Sequence, residues 1–410
     1  MNSDWQTRIN AAVDESHDRM IALRRHLHAH PEPSGEELQT SLRLYQLFDE
    51  MGLGVRMGPE GRGVVVDSRD PNGQRRIALR ADIDALRIED QKQTPYRSTV
   101  PEVMHACGHD AHTATVFGAL LALDRLECER ALPWPVTWRG IFQPAEETGE
   151  GAKAMMAAGA LTNVDAILAV HVDPTRPVGT IGVRPGPLTA SCDDLRITVR
   201  GRGGHAARPH ESNDPIAAAA ELVSTLYQFV PRATDSQDAV VVSFGQIHGG
   251  QNSNVIPEEV MLEGTVRTLN HDVREKTVQH IRTLAEGIEK VTGAKVDVNF
   301  LRGSPSVQND EGLTQLVSEV AVDLLGANNV TTLPRPSMGS EDFAYYLERV
   351  PGTMFRLGAS GENGTWPGLH TPMFDVDEKC LAIGAKILAR TVVEWSKSSV
   401  GWVESSRPTD

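Results

Sequence analysis

Apolar positions recur along this chain with two periods, and the switching between them outlines the fold. Residues from about 10 to 29 interleave charges with Leu, Ile and Met at helical spacing. The segment 36–53 does the same, with Ser34 as its expected N-cap. The runs 63–67 and 76–79 predict short strands joined by the turn Asp70-Pro71-Asn72-Gly73. The second strand leads straight into Arg80-Ala81-Asp82-Ile83-Asp84. The stretch 112–126 is nearly all apolar, which predicts a well-buried helix. Runs at 136–142 and 165–172 predict two more buried strands, separated by an Ala- and Met-rich helix at 151–160. Strands alternating with helices in this way argue for a mostly parallel or mixed sheet covered by helices.

The pattern changes across the Gly/Pro-rich segment 179–187. A strand follows at 192–199, then a helix opened by Asn213-Asp214-Pro215, strands at 239–247 and 259–269, a helix at 273–291 and a strand at 295–301. This β-α-β-β-α-β order predicts a ferredoxin-like unit inserted into the larger domain. A free edge of its sheet needs protection, and pairing with a second copy of the chain is one way to supply it. Beyond it come an amphipathic helix at 311–325, a short strand at 354–357, a Gly-rich loop at 361–368 and a last helix from 376. The expected fold is therefore α/β with two domains: a mixed-sheet catalytic domain built from 1–186 and 302–410, and an inserted ferredoxin-like lid or dimerisation domain at 187–301.

Composition narrows the function classes. Of 410 residues, 40% are hydrophobic and 23% charged, an ordinary globular balance, and the length favours two cores over one. A net charge of -15 makes nucleic acid and anionic membranes poor partners, while leaving room for a local basic site for a carboxylate. The four cysteines form no Cys-x-x-Cys pair, which fits a reducing compartment. Without an apolar leader core or a run of about 20 apolar residues, the cytoplasm is the expected location.

The candidate chemistry lies in Met104-His105-Ala106-Cys107-Gly108-His109-Asp110-Ala111-His112-Thr113, a concentration of thiol, imidazole and carboxylate that suits late first-row divalent ions. Gly108 lets the backbone turn so that Cys107 and His109 face one point. Glu146-Glu147, His171 and His370 stand where strands end or loops turn. Five candidate ligands, Cys107, His109, Glu147, His171 and His370, exceed the needs of one catalytic zinc and suit two ions about 3.5–4 Å apart. Glu146, beside a ligand but pointing another way, is the expected general base. Asp82 and Asp84 share one side of an extended segment; one orients a ligand histidine, or they serve as plain caps. His26, His28 and His30, at a helix end before Pro31, are expected to pack or face solvent. In the inserted unit, Gly201-Arg202-Gly203-Gly204-His205 is a tight turn that would bring His205 to a developing oxyanion. Asn254 would hold the same oxygen or the substrate, and Arg267 would clamp a substrate carboxylate or form a surface salt bridge.

The segments ALRADIDAL, MHACGHDAHTA, QPAEETGEGAKAM, AVHVDP, GRGGHAARP, NVIP, GTVRTLN, MGSEDFAYYLE and GLHTP resemble, in order, the metal-dependent amidohydrolases of the aminoacylase/carboxypeptidase family. The branch they resemble is that of hippurate hydrolases, N-acyl-L-amino-acid amidohydrolases and indole-acetyl-amino-acid hydrolases. The resemblance implies two divalent ions per chain (manganese, zinc, nickel or cobalt) on Cys107, His109, Glu147, His171 and His370, with Glu146 as base. It implies a homodimer or higher homo-oligomer in which His205 enters a site across the interface. It also places Asp82 where related branches have a ligand histidine, and Asp84 on the supporting aspartate. The expected reaction is hydrolysis of an N-acyl-amino acid amide. A dipeptidase, an N-acetyl-diaminopimelate deacetylase, a non-catalytic metal-binding dimer and a cysteine hydrolase working through Cys107 stand as alternatives.

Overall fold

The computed structural model describes residues 4–70, 75–361 and 366–405. The tip of the expected turn at 71–73 and the centre of the 361–368 loop lie outside the described residues. The chain divides into two compact units. The larger comprises 1–186, 308–334 and 345–410, and the smaller 187–307 and 335–344.

The larger unit begins with helices α1 (Asp4–Ala29) and α2 (Leu38–Asp49) and continues through β1 (Gly54–Met57), β2 (Val64–Asp67), β3 (Arg76–Asp82), α3 (His109–Cys128), β4 (Thr137–Gln143), α4 (Gly151–Ala157), β5 (Ala166–Pro177) and β6 (Ile181–Val183). Successive residues of β3 and β4 are all buried, so both faces of the sheet are covered there, as in parallel sheets generally. Helix α3 lies almost wholly inside the unit, as its apolar run predicts. Its Gly118 lets α1 approach closely, because a Cβ there would stand 2.4 Å from the Met20 sulfur.

The smaller unit runs β7 (Ser191–Arg200), α5 (Pro215–Ala233), β8 (Val240–Gly249), β9 (Glu259–Thr268), α6 (His271–Thr292) and β10 (Lys295–Ser304). Its sheet order is β8-β9-β7-β10, antiparallel throughout, which is the ferredoxin-like arrangement. β7 alternates: Leu195, Ile197 and Val199 are buried in a core of their own with residues of α5 and α6. The Asp214 carboxylate caps α5 by accepting from the N–H groups of Ile216 and Ala217, with Pro215 in the first turn.

The chain then returns to the larger unit with α7 (Glu311–Leu325), β11 (Val330–Thr332), β12 (Gly352–Ser360) and α8 (Lys379–Ser405). The large sheet has the order β1-β2-β4-β3-β5-β12-β6-β11. Its centre, β4-β3-β5-β12, is parallel, while β1, β2 and β6 introduce antiparallel pairings. The sheet is therefore mixed, and the α/β expectation holds for it.

Two local expectations are corrected. Helix α2 starts at Leu38, and Ser34 does not cap it: its hydroxyl donates to Asp84, 2.6 Å away. The Glu32 carboxylate does the capping, accepting from the N–H groups of Gln39 and Thr40. Helix α3 begins at His109, three residues before the apolar run, because Gly108 takes a left-handed turn immediately ahead of it. Among the described residues no helix is long and apolar enough to cross a membrane.

Candidate metal centre

β3, β4 and β5 run parallel, so their C-terminal ends open on one edge of the sheet, where α/β proteins place ligands. β3 ends in Asp82, β4 leads to Glu146 and Glu147, and His171 lies along β5. Three of the turns that carry candidate ligands pass through left-handed backbone: Gly108 at φ 91°, Ala145 at φ 53° and His370 at φ 60°. Alanine and histidine pay a steric cost in that region, so the surrounding contacts must hold them there. For His370 one such contact is its own N–H, which donates to the Ala106 carbonyl at 2.8 Å.

Hydrogen bonds decide which nitrogen each histidine presents. His109 Nδ1 donates to the Asp84 carbonyl and carboxylate at 2.9 and 3.0 Å, which leaves Nε2 pointing inward. That Nε2 is buried without a hydrogen-bond partner, as is Glu147 Oε1. The two stand 3.9 Å apart, and together with Cys107 Sγ they form a set in which all ligand atoms lie within 4.8 Å of one another. His171 Nδ1 donates to the Val172 carbonyl at 2.8 Å, and its Nε2 sits 3.7 Å from Cys107 Sγ. His370 is half-exposed, with Nε2 3.5 Å from Glu147 Oε1. Glu146 Oε2 is 3.8 Å from His109 Nε2. The structure thus brings Cys107, His109, Glu146, Glu147, His171 and His370 to one place.

Asp82, His109 and His112 also cluster, but Asp82 and His112 already have other partners. His112 Nδ1 donates to Asp82 at 2.7 Å, and its Nε2 accepts the Val172 N–H at 2.9 Å. The second Asp82 oxygen accepts from Arg80 at 2.7 Å, and Arg80 is held in turn by Gln143. This buried relay ties β3, β4, α3 and β5 together beneath the ligands. His112 lies in the thiol-, imidazole- and carboxylate-rich stretch 104–113 but not among the five candidate ligands. Its spacing of three from His109 on one helix was the available signal.

The electrostatics fit a cation. Burial alone would raise the Asp82 carboxyl, but His109, His112 and Arg80 outweigh it and hold it well below the usual carboxylate range. Burial, with Arg356 and His112, holds His171 well below its ordinary value, and the neutral imidazole is the metal-binding form. Burial and the Glu147 charge push the Cys107 thiol up to about 12, so a proton stays on sulfur unless a cation replaces it. Two buried, unsatisfied ligand atoms beside a thiol and a neutral imidazole match a divalent metal of intermediate softness. The residue cluster is a dinuclear metal-binding site.

His28 is buried behind this centre. It bonds Asp110 at 2.7 Å and lies 3.0 Å from Lys92 Nζ, whereas His26 and His30 face solvent. His205 and Asn254 belong to the smaller unit. Both are exposed and lie side by side, with the Ala206 N–H donating to the Asn254 carbonyl. His205 Nδ1 accepts the Ala207 N–H at 3.1 Å, which leaves a proton on Nε2. Arg267 is half-buried and donates from Nη1 to the Met338 carbonyl at 2.8 Å.

Known proteins resemble this chain over most of its length. An N-acetylcysteine deacetylase of Bacillus subtilis is 40% identical over 92% of this chain and 97% of its own. Thermostable carboxypeptidase 1 of Saccharolobus solfataricus is 34% identical over 96% of this chain and 99% of its own. The crystal structure of a Bacillus subtilis protein described as a dinuclear metal-binding peptidase from the M20 family superposes with a TM-score of 0.81 at 36% identity, covering 94% of this chain and 99% of that one. The family model for peptidase family M20/M25/M40 matches residues 78–394, a span that runs from within β3 into the last helix and takes in every candidate ligand. The chain belongs to peptidase family M20/M25/M40 and is a metal-dependent amidohydrolase.

Proposed function

We propose that the protein hydrolyses the amide bond of N-acyl-amino acids. Cys107, His109, Glu147, His171 and His370 would hold two divalent ions, which when bound supply an activated water and polarise the acyl carbonyl. Glu146 accepts the proton of the attacking water and returns it to the departing amine nitrogen. His205, whose Nε2 carries a proton, donates to the carbonyl oxygen as charge develops there, and it reaches the site from a second copy of the chain. Asn254 holds the same oxygen. The guanidinium of Arg267, steadied by the Met338 carbonyl, receives the substrate carboxylate through its remaining N–H groups. The proposed working form is a cytoplasmic homodimer.

One observation carries this reading: His109 Nε2 and Glu147 Oε1 are buried and unsatisfied beside Cys107, while Asp84 fixes the other face of the His109 ring. The test is Glu146→Gln. It should keep its full complement of bound metal and lose about 10²–10⁴-fold in turnover. The panel is N-acetyl, N-benzoyl and indole-acetyl amino acids, N-acetylcysteine included, assayed with manganese, zinc, nickel or cobalt. Full activity in Glu146→Gln refutes the role of Glu146. A second reading, a peptidase acting on short peptides, is favoured by the similarity to a thermostable carboxypeptidase. Dipeptides and N-acetyl-diaminopimelate in the same panel separate the two.

A further inference from the structure

The turn that carries Glu146 and Glu147 is held from outside by the segment that precedes α2. Glu37, fully buried, accepts the Ala145 N–H at 2.8 Å with the same oxygen, Oε1, that accepts the Gly35 N–H at 2.9 Å. Its other oxygen, Oε2, is buried with no partner. On the far side of Glu146, the Glu147 N–H donates to Asp84 Oδ2 at 3.0 Å, and Ser34 donates to that same oxygen at 2.6 Å. The backbone N–H groups flanking Glu146 are therefore both bound by buried carboxylates. The residue next to Glu146 on one side, Ala145, is a non-glycine residue at φ 53°, a conformation that needs an external restraint.

The side-chain hydrogen bonds described for Glu37 go to the Gly35 and Ala145 amides, and a carboxylate is a costly group to bury for the sake of two amides. Burial raises its pKa, so the position carries an electrostatic penalty that the fold sustains. Cap formation does not require it either, because Glu32 already caps α2. What Glu37 does is link the turn that carries the proton-transfer group directly to a segment 108 residues away.

We infer that Glu37 is a positioning residue for Glu146: by holding the Ala145 N–H it keeps the turn left-handed and sets where the Glu146 carboxylate stands relative to the metal centre. This rests on Glu146 acting as the proton carrier. Glutamine at position 37 keeps an acceptor oxygen for the two amides, whereas leucine removes it.

The experiment compares Glu37→Gln, Glu37→Leu and Glu146→Gln in the full chain, with three readouts. The first is amide exchange of the 144–149 segment in metal-free protein. The second is bound manganese per chain, and the third is kcat and KM on the best substrate of the panel above. Glu37→Leu should exchange the Ala145 amide at least about tenfold faster and lose about 10–100-fold in kcat, the scale of a misplaced catalytic group. Its KM should stay within about threefold and its manganese content should not change. Glu37→Gln should restore both exchange and kcat. If Glu37→Leu does not fold, Glu37→Asp, which withdraws the carboxylate by one methylene, gives the same comparison. The inference is overturned if exchange and kcat are unchanged in Glu37→Leu while Glu146→Gln is inactive, or if both Glu37 variants lose manganese together. If Glu146→Gln is fully active, the base assignment fails and the proposal falls with it, whatever the exchange data show for the Ala145 restraint.

Discussion

Gly108 separates two candidate ligands, and replacing it with alanine tests how rigidly they are held. Its backbone is left-handed, at φ 91° and ψ 17°, where any side chain costs about 1–2 kcal/mol. A Cβ there would stand 2.4 Å from Val172 Cγ2 and 3.4 Å from the Phe374 ring, against the 3.5–4.0 Å of an ordinary carbon contact. Val172 is buried and must shift by roughly 1 Å, with the Phe374 ring already in contact on the other side. Overpacking of this kind costs about 1–3 kcal/mol. The expected loss for Gly108→Ala is about 2–5 kcal/mol of stability in the larger unit. The strain also reaches the metal centre, because Val172 receives the His171 ring on its carbonyl and gives its N–H to His112. The assay is chemical denaturation of metal-free protein, followed by the fluorescence of buried Trp138, with manganese affinity measured by equilibrium dialysis. A loss below about 1 kcal/mol with unchanged manganese affinity would show that the turn does not need glycine, and the reasoning from φ and contact distance would fail.

Four further outcomes are expected. Arg24→Met removes a fully buried guanidinium from Asp110, Asp375 and Glu378 and leaves Asp110 charged and buried, which should cost about 3–5 kcal/mol in thermal or chemical denaturation. Asp84→Ala frees the His109 ring and should weaken metal binding by about 10–100-fold in chelator competition, and unchanged affinity would remove Asp84 from its orienting role. Burial raises the Glu37 carboxyl in the folded protein above its ordinary 4.5, so the unfolded chain releases this proton first as pH rises. Relative to Glu37→Gln, the wild type should therefore lose stability as pH climbs through 4.5 and stop losing it above the raised folded value; melting temperatures measured across that range decide it. Removing metal with a chelator should abolish turnover and re-addition should restore it, whereas a hydrolase working through the Cys107 thiolate would keep its activity.

Much of the fold could be read locally. The alternation of β7, with Leu195, Ile197 and Val199 turned inward, follows directly from a period of two. The Asp214-Pro215 start of α5 follows from capping chemistry. The start of α2 is not legible locally, because Asp84, 50 residues away, draws the Ser34 hydroxyl to itself and leaves the capping to Glu32. The role of His112 is not legible in the 104–113 stretch that contains it, because its partners Asp82 and the Val172 amide come from other strands. Glu37 looked like an ordinary acid in a helical run, since nothing local announces that it faces Ala145.

By itself the sequence determined the two periods, the inserted βαββαβ order and a set of candidate metal ligands. These depend on side-chain chemistry and on spacings of a few residues. The tertiary structure alone decided which atom each residue presents. His109 offers Nε2 because Asp84 holds Nδ1, His112 offers neither nitrogen because Asp82 and Val172 hold both, and Asp82 faces Arg80 and His112 with its two oxygens. A lone pair is directed by hydrogen bonds, and here the groups that make those bonds lie tens of residues apart and meet only when the strands and α3 pack together.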